Sequence, residues 1–313
     1  MSGPELKERV EPMDVLLIGS GVIGSIYAGQ VSLAGHRLWV LAYGDREREL
    51  AKRGIRLRNA DTGVTETAKV ELAQTANERR YDLVIVAVQA AQLASTFPAL
   101  RKLQGAPHII FFGNNPEGHA AIPGDIPGSI ELAFPGVGGG IKDGVVEYVR
   151  ITQQPTAFEC NAGLASKALQ AALEIRGFST QQIAHMDGWL KYHAVLVGCI
   201  STALLKTGVD TQRLGNDPKL LRQMCRAIEE GFKSLQVQHI PGLPRNLALL
   251  HNPLLRFVAV RYWGGIMRSA KGELYFGAHT RHAPDEVRTL ANWVLQHVVR
   301  DNASTDDLRS LLS

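Results

Sequence analysis

The chain has 313 residues, 45% of them apolar and 20% charged, with a formal net charge of +4. This is the make-up of a globular protein with room for two cores, and it excludes a disordered or low-complexity chain. Basic residues are interspersed with acidic ones, so no nucleic-acid partner is expected. The odd set Cys160, Cys199 and Cys225 lacks CxxC or metal-type spacing and speaks for reduced thiols rather than a disulfide framework. The opening MSGPELKERVEP has charges and prolines where a signal peptide needs an apolar run. No apolar run reads as a membrane span, so no membrane partner is expected and a cytoplasmic location is.

In chain order, DVLLIGSGVIG at 14–24 is an apolar strand ending in Gly19, Gly21 and Gly24, and it runs straight into the helical stretch VIGSIYAGQVSLAG. This is a dinucleotide-binding fingerprint in its proper setting. Gly19 permits the tight turn, Gly21 lets backbone N–H groups approach a pyrophosphate, and Gly24 lets helix and strand pack closely. The cofactor-binding turn is therefore assigned to Gly19, Ser20, Gly21, Val22, Ile23 and Gly24. A second strand, RLWVLAY at 37–43, is followed at 45–58 by six Lys or Arg against three acids. That cluster is either a solvated helix face or the place where the fold meets the adenosine ribose. The strand ends Leu41-Ala42-Tyr43-Gly44 with no acid at its tip, and Arg46 and Arg48 follow closely. A basic residue there favours NADP (NADPH) over NAD, with Arg46 as the reader of the extra phosphate.

DLVIVAV at 82–88 and HIIFFG at 108–113 read as buried parallel strands, with a helix over 89–103 between them. Alternating strands and helices predict a doubly wound α/β domain. IELAF at 130–134 and VVEYVRI at 145–151 read as strands joined by a glycine-rich turn, an antiparallel extension of the same sheet. From Met186 to Lys206 the pattern becomes that of a buried helix, with Asp187 as N-cap, and further helices are expected at 217–236, 246–267 and 284–300. The terminal NASTDDLRS reads as frayed or loosely docked. The fold class is thus an α/β Rossmann-type doubly wound sheet over 13–182, followed by an all-helical C-terminal domain over 183–313.

Ligands in such a sheet bind outside the carboxyl ends of the strands, here between the two halves. Three places meet that description. Lys191 lies among apolar residues of the central helix, where it either snorkels to water or stabilises the oxygen of a reduced carbonyl and protonates it. The loop Gly113-Asn114-Asn115-Pro116-Glu117-Gly118 offers amides for a ribose, a nicotinamide or a carboxylate, or is turn chemistry alone. Glu273 in SAKGELYFG is either a substrate-binding carboxylate or a surface glutamate. His279 and His282 lack a third ligand at sensible spacing, so no metal is expected.

The order of parts resembles the ketopantoate reductase (2-dehydropantoate 2-reductase) family over about residues 13–300. The resemblance rests on GSGVIGSIYAGQVSLAGH at 19–36, VIVAVQAAQL at 84–93, the loop at 113–118 and the Trp-x-Lys at 189–191. It implies NADPH-dependent reduction of a 2-keto acid, ketopantoate to pantoate in pantothenate biosynthesis. It puts the catalytic acid on Lys191, the cofactor- and substrate-binding amide on Asn115 with Asn114 the rival alignment, and the substrate carboxylate on Glu273. Gln89 stands where the family usually has a lysine near the cofactor, and Val195 and Cys199 stand where it has asparagines. An altered substrate pocket follows, since a hydroxylated keto acid would lose hydrogen bonds there. A homodimer is compatible with this reading. Alternatives are an opine-type or other hydroxyacid dehydrogenase, and a non-catalytic dinucleotide-binding sensor.

Overall fold

The structure, a computed structural model, describes residues 11–160, 163–300 and 304–313. The first half contains β1 (Asp14–Ile18), α1 (Val22–Leu33), β2 (Arg37–Leu41), α2 (Gly44–Arg53), β3 (Ile55–Asn59), β4 (Thr65–Ala68), β5 (Glu71–Ala73) and β6 (Leu83–Val86). Then follow α3 (Leu93–Leu100), β7 (His108–Phe112), β8 (Ser129–Phe134), β9 (Val137–Lys142), β10 (Val145–Arg150), β11 (Thr156–Glu159), α4 (Leu164–Ile175) and β12 (Thr180–Ile183). Eight strands form one sheet in the order β12-β11-β8-β7-β6-β1-β2-β5. All its pairings are parallel except β8 with β11.

Both faces of this sheet are covered, which is why its strands are apolar throughout. Val15 and Leu17 of β1 join the core beneath α1 and α4, whereas Leu16 and Ile18 join the core with α3 and the start of the long helix. Of the two strands expected to extend the sheet, β8 joins it, parallel to β7 rather than antiparallel, and β10 does not. After β8 the chain leaves the sheet, and β9 and β10 pair with β3 and β4 in a separate four-stranded sheet, order β4-β3-β10-β9. Asp143 and Gly144, both at positive φ (51° and 72°), make the two-residue turn between β9 and β10. The antiparallel strand of the main sheet is instead β11, which returns beside β8.

The second half is helical: α5 (Met186–Lys206), α6 (Thr211–Gly215), α7 (Pro218–Val237), α8 (Arg245–Leu250), α9 (Arg256–Arg268), α10 (Ala270–Gly272), α11 (Ala278–His282), α12 (Pro284–His297) and α13 (Asp306–Leu312), with a π turn over Glu273–Gly277. α5 is the axis of this part and packs against α7, α12 and α13. By length and composition it is apolar enough to cross a membrane, contrary to the sequence reading, but it is a mostly buried core helix. The expected helix over 246–267 is broken at Asn252-Pro253, where the Asn252 carboxamide oxygen accepts from the Leu254 N–H at 3.0 Å and starts a short 3-10 turn. Of the terminal NASTDDLRS, Asn302 and Ala303 lie outside the described residues, and the part from Ser304 onward is placed differently from expectation. Leu308, Leu311 and Leu312 of α13 are buried in the helical core.

Asp187 does not cap α5 either. His185 occupies the N-cap without a side-chain hydrogen bond, and Asp187 in the first turn accepts from the His119 N–H at 2.8 Å. That contact joins the helical part to the β7–β8 connection. Gly118 at φ 60° makes it feasible, because a Cβ there would lie 1.8 Å from Asp187 Oδ1. The His119 ring pairs in turn with Glu159 at 2.9 Å.

Candidate active site

The carboxyl ends of β1, β6, β7 and β8 open onto a cleft of about 1590 Å³ whose opposite wall is built from α5, α8, α9, the 274–283 stretch and the start of α12. At its floor, Gly19 turns the chain at φ 98°, and a Cβ there would meet the Ala87 carbonyl at 2.4 Å. A Cβ on Gly24 would lie 2.0 Å from the Gly19 oxygen, so α1 packs directly on the turn. Nothing stands within 4 Å of a Cβ on Gly21. Gly19, Ser20, Gly21, Val22 and Ile23 line the cleft, and α1 starts without a side-chain cap. An uncapped helix N-terminus facing open space suits a pyrophosphate.

Arg46 sits beside this turn rather than in the lining. Its guanidinium donates to the Ser20 carbonyl (3.1 Å) and the Ser25 hydroxyl (2.9 Å) and pairs with Glu49 (2.7 Å). Tyr43, at the start of α2, is 72% exposed. Neither the tip of β2 nor the turn after it places a carboxylate here: Asp45 pairs with Arg48 instead.

The helical wall is apolar and aromatic, with Leu247, Leu250, Val258, Tyr262, Trp263 and Phe276 prominent. Leu249 in this wall is 64% exposed, and Leu254 and Phe257, next in sequence to the lining residues Leu255 and Val258, are 88% and 73% exposed. Among the described lining residues Arg245 is the one Lys or Arg. Two polar groups are set into this wall. In the first, Trp189 stacks on His193 with 3.6 Å between ring centroids, and His193 Nε2–H donates to Gln154 Oε1 at 3.0 Å. Burial lowers the His193 pKa to about 3, so its ring is neutral.

In the second group, Asn114 Nδ2 donates to Glu286 Oε1 at 3.0 Å, and Glu286 Oε2 lies 3.9 Å from His279 Nε2. The Glu286 side chain is only 7% exposed. Asn114 Oδ1 and His279 Nε2 are buried with no hydrogen-bond partner.

The sequence-derived candidates divide accordingly. Gln89 lines the cleft together with the glycine turn. Of the two loop amides Asn114 is in the lining, while Asn115 turns its Nδ2 to the Gly118 carbonyl at 2.9 Å and serves the loop. Lys191 is absent from the lining. The cleft face of α5 is Trp189, His193, Leu196 and Val197, and at 3.6 residues per turn Lys191 lies about 200° around the helix from Trp189 and His193. Val195 and Cys199, on the Lys191 side, are fully buried in the helical core. Glu273 is also outside the lining and pairs with Arg281 at 2.5 Å; the π turn directs Leu274, Tyr275 and Phe276 to the cleft instead. Glu286 and His279 were not singled out for this chemistry from sequence. His119, Glu159 and Asp187 are the one cluster of three possible metal ligands among the described residues, and their mutual hydrogen bonds account for it.

Residues 15–130 match the family model described as ketopantoate reductase PanE/ApbA. No curated protein sequence matches the chain. Among solved structures, a PanE/ApbA family ketopantoate reductase from Ralstonia eutropha JMP134 superposes with a TM-score of 0.76 at 18% identity, covering 96% of each chain. A probable 2-dehydropantoate 2-reductase from Bacillus subtilis gives 0.66 at 18% identity, covering 95% of this chain and 97% of its own. A D-mandelate dehydrogenase, solved with NADH and anilino(oxo)acetate, gives 0.70 at 14% identity and covers 96% of each. These likenesses establish a shared fold.

Proposed function

We propose that this chain, whose residues 15–130 match the ketopantoate reductase PanE/ApbA model, is an NADPH-dependent reductase of a carbonyl carrying a bulky apolar group, a 2-keto acid or a related compound. One observation carries the reading: the glycine turn and the apolar wall with its few buried polar groups share a single cleft. Gly19 to Ile23 would hold the pyrophosphate, Tyr43 and Arg46 the adenosine phosphate side, and Gln89 and Asn114 the nicotinamide side. Bound there, the cofactor supplies a hydride. The chain's own part is to exclude water with its aromatic wall, orient the carbonyl and furnish a proton.

The apolar lining argues against a polyhydroxylated substrate, since each hydroxyl left unpaired there costs about 1–3 kcal/mol. The carboxylate of a 2-keto acid would find Arg245 at the rim. The D-mandelate dehydrogenase fold likeness makes an aromatic 2-keto acid the natural first substrate. The free thiols Cys160, Cys199 and Cys225 agree with work in the reducing cytoplasm. A ketopantoate reductase from Staphylococcus aureus, similar in fold, is dimeric, and a homodimer is part of the proposal.

The test is turnover with NADPH of phenylglyoxylate against ketopantoate. We expect phenylglyoxylate to be favoured by about tenfold or more in kcat/KM, as one unpaired hydroxyl requires. A preference for ketopantoate would refute the apolar substrate. Tight NADPH binding with no turnover of any carbonyl would favour the second reading, a non-catalytic dinucleotide-binding protein, which the displacement of Lys191 from the cleft keeps in view.

A further inference from the structure

We infer that His279, set beside Glu286, is the proton donor to the substrate carbonyl oxygen, at a site that Asn114 ties to the cofactor wall. The inference rests on the reductase reading above. Its starting point is a cost: a carboxylate only 7% exposed has Asn114 as its hydrogen-bond donor, while Asn114 Oδ1 and His279 Nε2 beside it have no partner. Buried polar groups without partners are expensive, and two of them on residues that meet the same carboxylate in the lining of a cleft mark a place that a ligand completes. Asn114 Oδ1 needs a donor and a protonated His279 Nε2 needs an acceptor, which a carbonyl oxygen provides.

The spacing separates the roles of the pair. At 3.9 Å the Glu286 carboxylate faces His279 Nε2 but is too far to take the Nε2 hydrogen in a hydrogen bond. That hydrogen therefore stays available to the substrate. As hydride from NADPH forms the new C–H bond, the carbonyl π pair moves to oxygen, which takes the proton from His279 Nε2. The products are the alcohol, NADP⁺ and a neutral imidazole, which solvent reprotonates.

The other donors in the lining are less suited. His193 is neutral and its Nε2 is engaged by Gln154. His282 uses Nδ1 on the Ala278 carbonyl at 2.7 Å and is exposed. His185, also in the lining, is exposed at the start of α5, far in sequence from Asn114 and Glu286 and with no hydrogen bond to either. Tyr262 and Tyr275 have their pKa values raised by burial, and Arg245 does not release a proton. Lys191 is on the other side of α5.

The experiment uses the full chain, with phenylglyoxylate as the carbonyl. His279→Ala should lower kcat by about 100-fold, leave the NADPH dissociation constant unchanged, and be partly rescued by added imidazole. Calorimetry of the unreactive complex with NADP⁺ should show phenylglyoxylate bound about tenfold more weakly by the same variant. Glu286, a positioning residue, should behave more mildly: Glu286→Gln lowers kcat, and Glu286→Asp restores part of it. Full kcat in His279→Ala, a loss that imidazole does not rescue and that comes with weaker NADPH binding, or a loss in Lys191→Ala with none in His279→Ala would each overturn the assignment while leaving the reductase reading intact. Absence of turnover of any carbonyl by the unaltered protein with NADPH bound would overturn both.

Discussion

Arg46 binds the protein before it binds anything else. Its three contacts to Ser20, Ser25 and Glu49 hold the guanidinium beside the glycine turn, so little rotamer freedom remains to be lost when a phosphate arrives. Arg46→Ala should weaken NADPH binding about tenfold or more, the loss of one charge-assisted contact, and NADH binding far less. Fluorescence titration with both cofactors checks this, and equal losses would count against the NADP assignment. Asn114 and Asn115 show how fine the residue scale is. Both suit a binding loop, but only the fold reveals that Asn115 closes the loop onto Gly118 while Asn114 faces the cleft. Glu286 was equally hidden, since an acid shortly after Pro284 reads as ordinary first-turn helix chemistry.

At the scale of elements, buried parallel strands were the most legible part. β1, β6 and β7 are short branched runs bounded by turn residues, and nothing competes with that pattern. Of the small sheet only β10 was legible as a strand, and the rest was hidden for the opposite reason: VGGGIK of β9 carries three glycines, and TETA of β4 is polar and short. Helix α5 was found, but not its orientation. It is apolar on nearly every side, so its sequence does not show which stripe meets the cleft. α13 was mistaken for a loose end because the run NASTDDLRS is polar with a single leucine, Leu308, while Leu311 and Leu312 come just after it. Those leucines pack on α5 and α7, and Leu308→Ala should cost about 2–5 kcal/mol in a urea denaturation experiment. A change below about 0.5 kcal/mol, the range of ordinary surface sites, would return this segment to the surface.

For the whole molecule, two buried histidines set an acid limit. Burial lowers the pKa of His193 to about 3 and that of His251 to about 4, from 6.5. Above pH 6.5 both are neutral whether the chain is folded or not, and they contribute no pH dependence. Below it the unfolded chain takes up protons that the folded chain refuses, so stability falls with pH, by about 1.4 kcal/mol per unit for each histidine. The fall continues to about pH 4 for His251. Urea midpoints at pH 7 and 5 should show this slope, and a His193→Gln, His251→Gln double variant should flatten it. An unchanged slope in the double variant would mean that other groups set the limit.

Helix α5 belongs to two structures at once: its first turns wall the cleft through Trp189 and His193, and the rest is the axis of the helical core. A ligand seated against Trp189 therefore presses on the same rod that α7, α12 and α13 grip. Amide hydrogens along α5, and those of the helices packed on it, should exchange with solvent more slowly when the cleft is filled, although most of them lie beyond the ligand's reach.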